Sequence, residues 1–172
     1  MFSNLEPEVR TVDSYLQLVK RWLTMTNVML DGGKEIDLLA IDPRSSEKYH
    51  IEVHCVTGRG FKIRLEDTQK KSGEKHKRGL DTLNEIKFAP LVVRTAIQNF
   101  FGNSDYKKVL VVWAVEKESI IQEAKTRYDN EVWKMSDILR GLRENVGTKA
   151  YRDDILRTIQ LMQKELLISN PC

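Results

Sequence analysis

The chain has 172 residues, of which 41% are hydrophobic and 31% charged, and its formal net charge is +3 at pH 7. This length and composition predict a single folded domain, residues 1–172, with a substantial core. No run of eighteen apolar residues occurs, which argues against a membrane partner, and the acidic N-terminal segment lacks the apolar centre of a signal peptide. Two cysteines, Cys55 and Cys172, provide neither a disulfide framework nor a CxxC metal site. We therefore expect a cytoplasmic protein.

The first half of the chain predicts one helix and three strands. Apolar residues at helical spacing favour a helix over residues 9–25, and this helix includes Trp22. The three strands cover residues 27–30, 35–41 and 48–56, and Asp-Gly-Gly and Asp-Pro-Arg turns separate them.

The second half alternates helices with strands. Residues 78–101 are mostly helical, with a break at Pro90. The later elements are a buried parallel strand over 108–115, a helix over 119–127, a strand over 131–135, a helix capped by Ser136 and Asp137, and an amphipathic helix over 151–167. This order predicts an α/β fold: a central mixed sheet of about five strands flanked by helices, in the order αβββαβαβα with an extra C-terminal helix.

Two carboxylates lie inside the predicted strands. Asp37 interrupts the apolar strand 35–41, and Glu52 lies in strand 48–56, two residues before His54. Glu52 and His54 share a face because strand side chains alternate, and Asp37 can approach them from the neighbouring strand. A divalent cation shared by both carboxylates would compensate the cost of burying them, and Mg²⁺ favours such oxygen ligands. The alternative is that each carboxylate forms a salt bridge at a sheet end.

These residues resemble the motifs of a nuclease family. Gly-Lys-Glu-Ile-Asp-Leu-Leu-Ala around Asp37 and Ile-Glu-Val-His around Glu52 resemble the two acidic strand motifs of the PD-(D/E)xK nuclease superfamily. Residues 132–139 resemble the last strand and helix of its Mrr-like and archaeal Holliday-junction-resolvase-like members, and the likeness covers about residues 6–145. It implies a restriction-endonuclease-like fold and a Mg²⁺- or Mn²⁺-dependent endonuclease that cuts DNA in restriction, repair or recombination.

The resemblance also implies roles for single residues. Asp37 and Glu52 would bind the metal and take part in catalysis, and Glu8, on the first helix, would be a further metal ligand. A helix N-terminus also favours an acidic residue such as Glu8 without any metal. Glu35, on the Asp37 face, is a weaker spare ligand. His50 shares the Glu52 face, and we expect it to be solvated.

His54 stands where the family usually has a lysine that orients or deprotonates water and stabilises negative charge. A neutral imidazole can act as a base near pH 7 or bind a softer metal such as Mn²⁺, but it is not a permanent cation. Two outcomes stay open: catalysis with His54, or a catalytically inactive nuclease-fold module that binds nucleic acid or serves as an accessory subunit. If His54 is not needed, Lys34 and Lys62 are the first residues to test.

A basic segment, residues 57–79, follows the predicted catalytic strand. It contains eight basic and three acidic residues, which leaves a local charge of +5. Such a segment would bind the phosphates of nucleic acid, most simply DNA, without reading its sequence, although a solvated loop has the same composition. The basic residues are Arg59, Lys62, Arg64, Lys70, Lys71, Lys75, Lys77 and Arg78. The apolar face of the C-terminal helix could close the core or form a homodimer contact.

Overall fold

The computed structural model describes residues 6–55, 62–69, 75–76, 79–102, 105–148 and 151–169. The helices in this part of the chain are α1 (Pro7–Tyr15), α2 (Leu80–Leu83), α3 (Leu91–Phe101), α4 (Ser119–Tyr128), α5 (Met135–Asn145) and α6 (Asp154–Ser169). The strands are β1 (Leu23–Met29), β2 (Glu35–Ile41), β3 (Lys48–His54), β4 (Thr68–Gln69), β5 (Lys75–His76), β6 (Lys107–Val112) and β7 (Asn130–Lys134). Turns of π-helix extend α1 over Leu16–Lys20 and α2 over Asn84–Phe88.

Five strands form one mixed sheet in the order β1-β2-β3-β6-β7. The β1, β2 and β3 strands form an antiparallel meander, whereas β6 runs parallel to β3 and β7 runs parallel to β6. The predicted α/β class and mixed sheet of about five strands flanked by helices are therefore confirmed. A separate antiparallel pair, β4–β5, lies within the basic segment and was not predicted.

The sheet is covered by helices on both faces, as its alternating buried side chains require. On one face, Ile51 and Val111 belong to a cluster with residues of α1, α5 and α6, including Val12 and Leu142. On the opposite face, Leu110 and Val112 pack with residues of α2 and α4, and Leu39 packs with residues of α3. No helix within the described ranges combines the length and the apolar character needed to cross a membrane.

Two predicted helix boundaries are wrong. The first helix ends at Lys20, because Arg21 adopts a left-handed conformation with φ 62° and β1 begins at Leu23. Trp22 therefore lies outside the helix, where it is buried and stacks on Tyr49 with ring centroids 4.2 Å apart. Helix α5 begins at Met135 with no side-chain cap, since β7 runs into it directly and leaves Ser136 and Asp137 inside the helix.

Candidate active site

The site lies where two antiparallel strands part. The β2–β3 pairing runs from Ile41 opposite Lys48 to Leu38 opposite Ile51. The next residues along the two strands are Asp37 and Glu52. The backbone N–H of Val53 donates to Asp37 Oδ2 at 2.8 Å, so a side chain takes a hydrogen bond that a backbone carbonyl would accept in a continuing ladder. This bond holds the Asp37 carboxyl group over β3, beside Glu52.

Glu52 forms the buried floor of the site. Its side chain is 1% exposed, and both carboxyl oxygens have partners. Oε1 lies 2.7 Å from His50 Nε2, and Oε2 lies 2.7 Å from Lys87 Nζ. The cation and the hydrogen bond compensate part of the hydration that this buried carboxyl group has lost.

Lys87 brings a positive charge to both carboxyl groups. It belongs to the π-helical turn Asn84–Phe88, next to Phe88, which is buried against the sheet. Its ammonium group lies 3.5 Å from Asp37 Oδ2 in addition to its contact with Glu52. The side chains of Lys87 and Asp37 are 27% and 13% exposed, so the cluster meets solvent on their side. We define Asp37, Glu52 and Lys87 as the carboxylate–lysine cluster.

Burial and mutual charge shift the pKa values in this cluster. Burial and then the charge of Glu52 raise the pKa of Asp37 to about 6, although Lys87 and the Val53 hydrogen bond act in the other direction. Burial raises the pKa of Glu52 as well, against the opposing charge of Lys87. Burial alone would lower the pKa of Lys87, but the charges of Glu52 and Asp37 outweigh it and raise that pKa. Lys87 is therefore a cation at neutral pH.

The donor set fits a magnesium ion held partly by protein. Asp37 and Glu52 both lie within reach of Lys87 Nζ, so their carboxyl groups are close together and the charge of Glu52 raises the pKa of Asp37. Two carboxylates completed by water and a substrate phosphate are the set that Mg²⁺ commonly uses. Among the residues that the structure describes, no group of three or more His, Cys, Asp and Glu side chains is placed to hold a metal ion.

The other predicted site residues, which lie outside this cluster, belong to α1, β2 and β3. His54 is half-buried at the end of β3, two residues beyond Glu52. Glu8 lies on α1, where its charge contributes, after burial, to raising the pKa of Cys55 to about 12. Cys55 packs in the cluster formed with α1, on the opposite face from Glu52. Glu35, at the start of β2, is half-buried. Metal binding by Glu8 and catalysis by His54 stay predictions.

The expectation that His50 is solvated is wrong. Its side chain is fully buried, and its ring meets Phe88 edge-on at 4.8 Å between centroids. Burial lowers the pKa of His50 to about 3, so the ring is neutral at physiological pH. Periodicity along β3 placed it correctly on the Glu52 face. The residue pattern did not indicate that the turn carrying Phe88 would cover this part of the face.

Sequence reasoning missed Lys87. Lys34 and Lys62, the lysines proposed from sequence, are both exposed. Lys87 is the only lysine between residues 80 and 101, and it stands between Ile86 and Phe88, three residues before the helix-breaking Pro90. A lone lysine among apolar residues at a helix end is a signal that could have drawn attention to it.

The basic segment is described only in part. Lys62 is exposed, and Arg64 forms an ion pair with Glu116 at 3.4 Å. Ile63 and Arg64 form isolated bridges to Val115 and Gly79, which tie this stretch to the end of the sheet. Lys75 belongs to β5, and its side chain is not described. The remaining predicted contacts lie outside the described residues: Arg59, Lys70, Lys71, Lys77 and Arg78.

Comparison with known proteins adds no relative. No protein-family model matches the chain, and no curated protein or solved structure matches it.

Proposed function

We propose that this chain is a metal-dependent endonuclease of the restriction-endonuclease-like type, which hydrolyses phosphodiester bonds in DNA. The observation that carries the proposal is the carboxylate–lysine cluster: Lys87 Nζ lies 2.7 Å from Glu52 and 3.5 Å from Asp37, where β2 and β3 part. The sequence motifs predict the two carboxylates together, and Lys87 adds the permanent cation that a histidine in the place of the family lysine does not provide.

The three side chains have distinct roles in this proposal. Asp37 and Glu52 would hold Mg²⁺ or Mn²⁺ through their carboxylate oxygens. An ion held there would supply an activated water molecule and a positive charge at the scissile phosphate. Lys87 stays protonated, so it stabilises negative charge that develops on the phosphate and does not act as a base. The solvent-facing side of Asp37 and Lys87 is where the phosphate would approach.

The alternative function is a nucleic-acid-binding module that keeps the fold and has lost catalysis. His54, at the position of the family lysine, is the observation that favours it. A lysine from another element that reaches both carboxylates weakens this alternative, because the cluster still combines two acids with a fixed cation.

Plasmid nicking tests the proposal. Supercoiled plasmid is incubated with the protein and Mg²⁺ or Mn²⁺, with a chelator control. We expect metal-dependent nicking that Asp37→Asn and Glu52→Gln abolish. Lys87→Met should slow it by about 10²-fold or more, the usual cost of losing a preorganised charge-stabilising group. Lys134→Met is the matched control, since Lys134 is 29% exposed, close to the 27% of Lys87, and is paired with Glu118 and not with either carboxylate of the cluster.

The same assay separates Lys87 from His54. If His54 transfers the proton, His54→Ala should also slow nicking by about 10²-fold. If Lys87 alone replaces the family lysine, His54→Ala should retain activity within a few-fold. A wild-type protein that binds DNA but nicks with neither metal would contradict the enzyme and support the binding module.

A further inference from the structure

We propose that His50 is a positioning residue of this site: it donates a hydrogen bond to Glu52 and fixes the carboxyl group in the orientation that binds metal. The inference rests on the proposed function, and it gives a role to a residue that the mechanism above does not use. It starts from the contact between His50 Nε2 and Glu52 Oε1, 2.7 Å apart with both side chains buried.

The direction of this hydrogen bond follows from its partners. Lys87 Nζ lies 2.7 Å from Glu52 Oε2, and this cation opposes the effect of burial and favours the ionised carboxylate, whose oxygens only accept. His50 must then carry its hydrogen on Nε2. The other ring nitrogen, Nδ1, is buried with no hydrogen-bond partner in the described structure, as suits a nitrogen without a hydrogen in an apolar setting.

The packing of the ring makes His50 suitable for this role. Residues 50 and 52 lie on the same face of β3, so the ring stands beside the carboxyl group that it contacts. The rings of Phe88 and Tyr106 lie next to the His50 ring, at centroid distances of 4.8 and 6.2 Å. Because Phe88 directly follows Lys87, one turn places both the ring that holds His50 and the ammonium group that meets Glu52.

Positioning by His50 would affect the metal through Glu52. When His50 holds Oε1 of Glu52, the other oxygen, Oε2, faces Lys87 and the side of the cluster that meets solvent. Without the donor, Glu52 would lose one of its two partners and could rotate away from Asp37. Hydrogen bonds to metal ligands are commonly worth 10- to 100-fold in metal affinity.

Magnesium titration calorimetry on the full chain tests this role. His50→Phe keeps a ring of similar size without a donor, and His50→Gln places an amide N–H near the position of Nε2. We expect His50→Phe to weaken Mg²⁺ binding about 10- to 100-fold and His50→Gln to stay within about threefold of wild type. Nicking at low Mg²⁺ should follow the same order, whereas KM for DNA should not change.

The outcomes separate this inference from the proposed function. Equal Mg²⁺ affinity in wild type and His50→Phe would overturn the positioning role and leave the nuclease standing, as would equal weakening in His50→Phe and His50→Gln. A wild-type protein that binds neither Mg²⁺ nor Mn²⁺ would overturn both. Thermal unfolding checks each variant. If His50→Phe does not fold, His50→Leu replaces it. The His50→Gln variant remains decisive in either case, because a tenfold loss of Mg²⁺ affinity in that variant would contradict the positioning role.

Discussion

At the residue scale, Lys87 is both a partner and a competitor for any cation that binds Asp37 and Glu52. Its ammonium group already contacts the two carboxyl groups that would bind the metal. A divalent ion at the same oxygens meets the repulsion of this fixed charge, which is weakly screened because Glu52 is buried.

Lys87→Met should therefore tighten Mg²⁺ binding while it slows DNA cleavage. We expect the dissociation constant, measured by calorimetry, to fall about tenfold, which corresponds to ~1.4 kcal/mol. Lys134→Met, which removes a similarly exposed lysine, should bind Mg²⁺ as wild type does. Weaker Mg²⁺ binding in Lys87→Met would mean that Lys87 helps to build the metal site instead of competing for it.

Asp37 makes the stability of the protein depend on pH. Its pKa is about 6 in the fold and 3.8 in the unfolded chain, so the folded state binds the proton more tightly. Protonation of Asp37 therefore contributes to the free energy of unfolding. This contribution is fully present below pH 3.8 and is lost as the pH rises through 6. At pH 7.5 the ionised Asp37 costs on the order of 2–3 kcal/mol, from 1.36 kcal/mol per pKa unit.

Asp37→Asn should remove this cost. The amide keeps an oxygen for the Val53 N–H but does not ionise, so the variant should be more stable than wild type at pH 7.5. The advantage should shrink as the pH falls towards 4. Because the pKa of His50 is about 3 in the fold, between pH 4 and 7.5 this residue takes up its proton in the unfolded chains of both proteins, and its effect largely cancels in the comparison. Urea unfolding of both proteins between pH 4 and 7.5 measures the difference; an advantage that grows as the pH falls would contradict the assigned shift.

At the scale of elements, Gly79 joins the end of the basic segment to α2. A Cβ atom at this position would lie 2.6 Å from the backbone N of Asp67 and 2.8 Å from the backbone C of Glu66. The Gly79 N–H also donates to Asp67 Oδ1 at 2.7 Å. This close approach of two backbones fixes the start of the helix that leads to Lys87.

Gly79→Ala should destabilise the protein by about 1–3 kcal/mol, since the clash is with backbone that cannot rotate away. Gly147→Ala is the control, because nothing lies within 4 Å of a Cβ atom there. Thermal unfolding of the two variants measures the difference. Equal unfolding midpoints would show that the backbone around Asp67 moves aside for the Cβ atom without loss of stability.

Some elements could be predicted from sequence and others could not, for physical reasons. Strand β2 was predicted with the same bounds, 35–41, because turn residues bracket an apolar run on both sides. The first helix was predicted too long because Leu23 continues the helical spacing of Leu16 and Val19, although it is exposed on β1. Asp37 and Glu52 were paired correctly because adjacent strands bring neighbours together. Lys87 was missed because a π-helical turn shifts side-chain directions, which helical periodicity does not anticipate.

At the scale of the whole molecule, the basic segment carries a local charge of +5 against a net charge of +3 for the chain. Its described part is attached beside the end of β6 through the bridge between Ile63 and Val115. Helices α5 and α6, in contrast, pack on the face of the sheet opposite Glu52. If the segment binds DNA, it provides an affinity that is separate from catalysis.

Neutralising Lys70, Lys71, Lys75 and Lys77 to Gln should weaken DNA binding and reduce its salt dependence. If all four contact phosphates, the slope of log K against log salt should become less negative by about 3.6. The control neutralises four exposed residues of α5 and α6: Arg140, Arg143, Arg157 and Lys164. Fluorescence anisotropy over a salt series measures both slopes. Equal slopes for wild type and the lysine variant would exclude the segment from the DNA interface.

The bond from Val53 to Asp37 has a spectroscopic consequence. The Val53 amide points at a carboxyl group that ionises near pH 6, whereas the neighbouring amides of β3 point at backbone carbonyls. Its ¹H–¹⁵N resonance should therefore move with pH around that value and mark the ionisation of one side chain. The same resonance should shift when Mg²⁺ is added, because Asp37 then divides its oxygens between an amide and an ion. One peak in a two-dimensional spectrum would thus follow the charge state of the site in the absence of any substrate.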